Sequence, residues 1–96
     1  MSSQMLIIGS LAMDLKRVAL GLHRGSYAMA NRFKQEALQR VKELENEKLN
    51  SYLKNLMEKT KKALGSREDR TAEDALMYST LFQNYATKNP ALRRDP

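Results

Sequence analysis

Between Met5 and Glu45 the apolar side chains recur at helical spacing, over about eleven turns and without a proline. Ile8, Leu11, Leu15, Val18 and Leu22 form the first half of a stripe, and Met29, Phe33, Ala37, Val41 and Leu44 form the second. Steps of three and four residues hold one face in line on a helix, whereas a strand would need strict alternation. An apolar stripe of this length must be covered, so the rest of the chain is expected to supply material that packs on it.

Composition sets the limits of that packing. At 96 residues the chain is expected to form one helical domain spanning 1–96, with a core of modest depth. A hydrophobic share of 42% is too high for a compositionally disordered chain. With four glycines and two prolines, long elements and few loops are expected. There is no cysteine, which excludes disulfides, thiolate metal sites and a cysteine nucleophile and fits a reducing compartment. The apolar run Met5-Leu6-Ile7-Ile8 is too short for a membrane span, and no basic residue precedes it as in a signal peptide. A cytoplasmic protein with no membrane partner is therefore expected.

The glycines and the phase of the stripe divide the chain. A first helix is expected over residues 4–23. Gly25 can take the left-handed conformation after a helix C-terminus, His23 and Arg24 are cations suited to that end of the dipole, and Ser26 can cap the next helix. Leu22, Ser26 and Met29 keep the stripe in phase, so an unbroken helix to residue 45 is the alternative. Glycine chemistry favours the turn and a second helix over 27–45. Beyond Leu44 the apolar positions Leu49, Leu53, Leu56 and Leu64 cluster roughly 120° from the earlier stripe. A break in Glu45–Lys48 is expected, where Asn46 is the residue with turn character. A third helix is expected over 48–64, with Leu49, Tyr52, Leu53, Leu56, Met57 and Leu64 on its face and Gly65 at its end. After a polar connection, Thr71-Ala72-Glu73-Asp74 has a capping-box arrangement opening a fourth helix over 71–88. Ala75, Tyr78, Leu81, Phe82 and Tyr85 form its face, Asn89-Pro90 stops it, and residues 89–96 form a loose tail. The fold class is all-α, an antiparallel bundle of three to four helices.

The first helix also carries Leu6, Met13 and Leu20 opposite the main stripe. A helix apolar on two faces usually has two neighbours. In so small a chain the second is expected from another copy, so the bundle is completed by dimerisation, with Met13 and Leu20 as interface residues.

The residues for catalysis are sparse. There is one histidine, no Glu-x-x-His pair for a di-iron bundle, and no Ser-His-Asp set or strand-borne phosphate loop. No enzyme activity, metal or cofactor is expected. Arg17 and His23 stand as Arg-x5-His, a spacing also used by a class of helical ribonucleases. There the pair falls late in the bundle, whereas here it lies on the first helix, and His23 reads as a cation at a helix end. The basic excess is more informative. Of the net +6, residues 1–42 carry +5, with Asp14 and Glu36 as their acids. Arg17, Arg24, Arg32 and Arg40 are spaced seven, eight and eight apart. On one continuous helix they would form a line at intervals of about 11 Å, able to follow a phosphate backbone. If the chain turns at Gly25 they become a patch on two helices, and the simpler reading is a solvated face. The aromatics Tyr78, Phe82 and Tyr85, and Met5, Met13, Met29, Met57 and Met77, are expected first as packing. The functional expectation is thus a small non-enzymatic interaction or assembly protein that self-associates as a homodimer, with another protein as a further partner class. Nucleic-acid binding through the four arginines is the alternative.

Overall fold

The structure, a computed structural model, describes residues 3–65 and 70–88 and contains four helices: α1 (Ser3–His23), α2 (Tyr27–Glu45), α3 (Ser51–Gly65) and α4 (Thr71–Lys88). The described chain is an all-α helical bundle. α1 packs between α2 and α4 and runs antiparallel to both, and α3 packs more lightly against α2 and α4.

The long stripe is broken at Gly25, which has φ +73°. The Gly25 N–H donates to the Leu22 carbonyl at 3.2 Å and the Ser26 N–H to the Gly21 carbonyl at 2.8 Å. This pair of bonds is a Schellman closure, and it requires the left-handed residue that glycine supplies without a Cβ clash. Continuity of phase across Leu22 and Met29 therefore loses to backbone chemistry. Ser26 precedes α2 in the cap position, but its hydroxyl makes no capping bond; only its carbonyl takes part, accepting from Ala30 N–H at 3.0 Å.

The second break lies where the stripe changes face. α2 ends at Glu45, and Glu47 N–H donates back to the Leu44 carbonyl at 2.9 Å. α3 starts at Ser51 rather than at residue 48 because Asn50 caps it. Asn50 Oδ1 accepts from Leu53 N–H at 2.9 Å, and Asn50 Nδ2 donates to the Tyr85 hydroxyl at 3.0 Å, tying the cap to α4. Leu49 thus packs on the core from the connection and not from a helix face. At α4 the Asp74 N–H closes its first bond on the Arg70 carbonyl, at 2.9 Å. Thr71 is therefore inside the first turn and not ahead of it, while Glu73 and Asp74 sit at the positive end of the dipole. Residues 66–69, the Asn89-Pro90 stop and the tail 89–96 lie outside the described residues.

The core is the stripe with its cover. Ile8, Leu11, Leu15 and Val18 of α1 meet Ala37, Val41 and Leu44 of α2, Leu53, Leu56 and Leu64 of α3, and Phe82 of α4, all buried. Small residues set how closely the helices approach α1. A Cβ added to Gly21 would stand 2.9 Å from the Ala30 nitrogen of α2. On the other flank Ala12 and Ala19 of α1 are buried, as are Ala75, Ser79 and Ala86 of α4. There the Ser79 hydroxyl donates to the Ala12 carbonyl at 2.7 Å. Within the chain, α4 is held on α1 through alanines and a serine. It is not held through Leu6, Met13 and Leu20.

Candidate functional site

Two surfaces on α1 bear on function, one charged and one apolar. The charged one faces α2. Arg17 and Arg40 both approach Asp14, at 3.8 and 3.7 Å, and Arg40 also approaches Glu43 at 3.6 Å. The Arg17 guanidinium lies over the Phe33 ring, 5.3 Å from its centre, and Arg32 lies 5.7 Å from the same centre. An aromatic face attracts guanidinium groups through its quadrupole, so Phe33 gathers two of the arginines. The antiparallel turn at Gly25 thus brings Arg17, Arg32 and Arg40 together as a patch, while Arg24 stays exposed at the turn itself. The patch is not purely positive. Asp14 sits within it at 5% exposure, and neither Asp14 Oδ2 nor Arg40 Nε has a hydrogen-bond partner. Burial pushes the Asp14 carboxyl above the usual carboxylate range. Arg40 opposes the shift, Glu36 adds to it and Arg17 opposes it.

Arg17 and His23 are not brought together. They lie six residues apart on one helix, about a third of a turn out of line. Arg17 is engaged toward α2, and His23 is exposed in the last turn. Among the described residues no group of three His, Asp or Glu is placed to hold a metal ion. Among them, too, no helix is long and apolar enough to cross a membrane.

The apolar surface is the outward face of α1. Leu6, Met13 and Leu20 are 56%, 44% and 37% exposed. Seven-residue steps keep them on one row, drifting only about 20° per step. Beside this row lies an open groove of about 540 Å³, lined by Met5, Leu6, Gly9 and Met13 of α1 and by Ala86 and Thr87 of α4. Gly9 leaves part of the groove open: a Cβ placed there would touch nothing within 4 Å. Leu76, 44% exposed, extends the apolar edge along α4, three turns from Thr87 and on nearly the same line. Met13 is thus not core packing, and neither is Met77, while Met5 and Met57 are buried. Phe82 is fully buried. Tyr78 and Tyr85 pack on the core from the rim, where Tyr85 stacks on Tyr52 with ring centres 5.9 Å apart.

Sequence reasoning passes over three of these participants. In the sequence Asp14 reads only as one of the two acids of the basic half, although its i+3 spacing to Arg17 signals a pair. Phe33 reads as core and serves at the same time as a guanidinium platform. Gly9 carries no signal by itself, since the groove depends on where α4 lies. No protein-family model, curated protein or solved structure matches this chain.

Proposed function

We propose that this protein is a small, non-enzymatic assembly module that associates with itself through the outward face of α1. The observation that supports this reading is the row of Leu6, Met13 and Leu20 beside an apolar groove, on a helix whose two in-chain neighbours are already in place. Contiguous apolar surface of this kind, rimmed by charge, marks interaction sites on otherwise polar proteins. Lys16 and Arg17 lie beside the row, so a second copy must meet it in a register that keeps these cations apart.

The arginine patch gives less support to nucleic-acid binding than a continuous row would. A single carboxylate placed between Arg17 and Arg40 reduces the field those two can offer a phosphate, and Arg40 is shared with Glu43 as well.

The test is solution mass by light scattering at low and high salt. The parent protein should be a dimer at both, because burial of Leu and Met is little screened. Changing Met13 and Leu20 together to Glu should yield a monomer of unchanged helicity, since both side chains lie outside the core. A parent protein that is monomeric at high micromolar concentration would reject the reading. So would a double variant that keeps the parent mass.

A further inference from the structure

Resting on the self-association proposed above, we infer its geometry: two copies pair their α1 helices antiparallel, with the two-fold axis passing at Met13. The inference comes from matching the exposed row against the charges beside it. The row reads Leu6, Met13, Leu20, and two pairs flank it. Gly9 and Lys16 lie on the α4 side, and Ser10 and Arg17 lie on the α2 side.

Parallel pairing opposes unlike flanks and would set Lys16 beside the partner's Arg17 and Arg17 beside the partner's Lys16, two like-charge contacts along one seam. Antiparallel pairing about a two-fold can bring the row together in three registers. With the axis between Lys16 and Arg17, Met13 meets the partner's Leu20, but the basic residues crowd the centre of the interface. With the axis between Gly9 and Ser10, Leu6 meets the partner's Met13, and Leu20 runs past the end of the opposing helix and stays in water. With the axis at Met13, Met13 meets itself and Leu6 meets the partner's Leu20, so every apolar member of the row is covered. In that register Lys16 lies against the partner's Gly9, over the hollow that Gly9 leaves, and Arg17 lies beside the partner's Ser10, whose hydroxyl can accept from it. No two cations face each other. Antiparallel helices pair each flank with the same flank of the other copy, so both contacts follow from a single placement.

The area is adequate. α1 has 21 residues. At about 1.5 Å each it is about 31 Å long, and with α4 beside it at the usual spacing the face is roughly 20 Å wide. That is about 600 Å² in flat projection and more as accessible surface, close to the roughly 800 Å² per partner of a standard stable interface. Leu76 and the groove lie inside this face.

The chain contains no cysteine, so single cysteines report the register directly. Four full-length variants are prepared: Leu6→Cys, Met13→Cys, Leu20→Cys and, as a collision control on the exposed side of α3, Lys59→Cys. Each is oxidised at a concentration where light scattering has given the parent mass, and circular dichroism confirms the parent helicity. Met13→Cys should cross-link to itself nearly completely and at least tenfold faster than the Lys59→Cys control. Leu6→Cys and Leu20→Cys should each stay near the control alone, and cross-link to one another when mixed. A dimer in which Leu6→Cys pairs with Met13→Cys, or in which each of the three variants links to itself, overturns the register and leaves self-association standing. A monomer by mass, with all four variants at the control rate, overturns both, and assigns the face to a partner of another sequence.

Discussion

Asp14 is a carboxylate set among apolar neighbours on α1, with two guanidiniums that approach it without closing a hydrogen bond. Two tendencies compete there: burial disfavours the charged form, and Arg40 and Arg17 favour it. Burial wins, and the carboxyl titrates above its ordinary value of 3.8. An acid whose folded-state pKa is raised holds its proton more tightly folded than unfolded. The stability it contributes is full below the unfolded value and is lost as the pH rises through the folded one. Asp14→Asn should abolish that loss. Relative to the parent, the variant should become steadily more stable as the pH goes from about 3.5 to about 7, the opposite of what removing a surface ion pair does. Urea unfolding of both proteins at the two pH values checks this. A variant that loses ground as the pH rises would mean that the arginines, and not burial, govern the carboxyl.

Helix pairing is decided by the small residues between α1 and its neighbours. Gly21 lets α2 come so near that an added Cβ would meet the Ala30 nitrogen at 2.9 Å and its Cα at 3.1 Å. Both are backbone atoms on a packed helix and cannot move alone. Gly21→Ala should therefore cost about 1–3 kcal/mol through overpacking, more than the roughly 1 kcal/mol that alanine brings to a helix interior. A urea midpoint equal to or above the parent's would show that α2 slides aside freely. The same reasoning explains why α4 fits the other flank, where Ala12 and Ala19 of α1 and Ala75, Ser79 and Ala86 of α4 are all small and buried. Ser79 adds a bond to a carbonyl already used within α1, which locks the axial position of α4 as well as its distance. Asn50 does comparable work at the start of α3, where one side chain closes the cap and reaches Tyr85.

For the whole molecule, the proposed self-association makes stability a property of concentration. A dimer that unfolds to separate chains gains stability by mass action, so its Tm should rise with protein concentration. The Met13→Glu, Leu20→Glu protein should lose that dependence while keeping a cooperative transition, because its core from Ile8 to Phe82 is untouched. Thermal unfolding by circular dichroism over a hundredfold range of concentration measures it. A parent Tm that does not move over that range argues against association.

Much of the fold is legible in the chain alone. The stripe, its break at Gly25 and its change of face after Leu44 yield four helices, because spacing and glycine conformation are local properties of the chain, and the start of α3 is the end that differs, set by the Asn50 cap. Legible too is the oddity of Leu6, Met13 and Leu20, since a helical wheel separates them from the stripe. What covers α1 cannot be read in this way. The place of α4 beside α1 is not legible, because α4 is received on alanines that carry little hydropathy signal. The arginine patch, the capture of Asp14 within it and the groove over Gly9 likewise depend on side chains brought together from helices far apart in the chain. Periodicity determines which face of a helix turns inward. The close approach that only small residues permit determines what that face meets, and only the tertiary arrangement decides it.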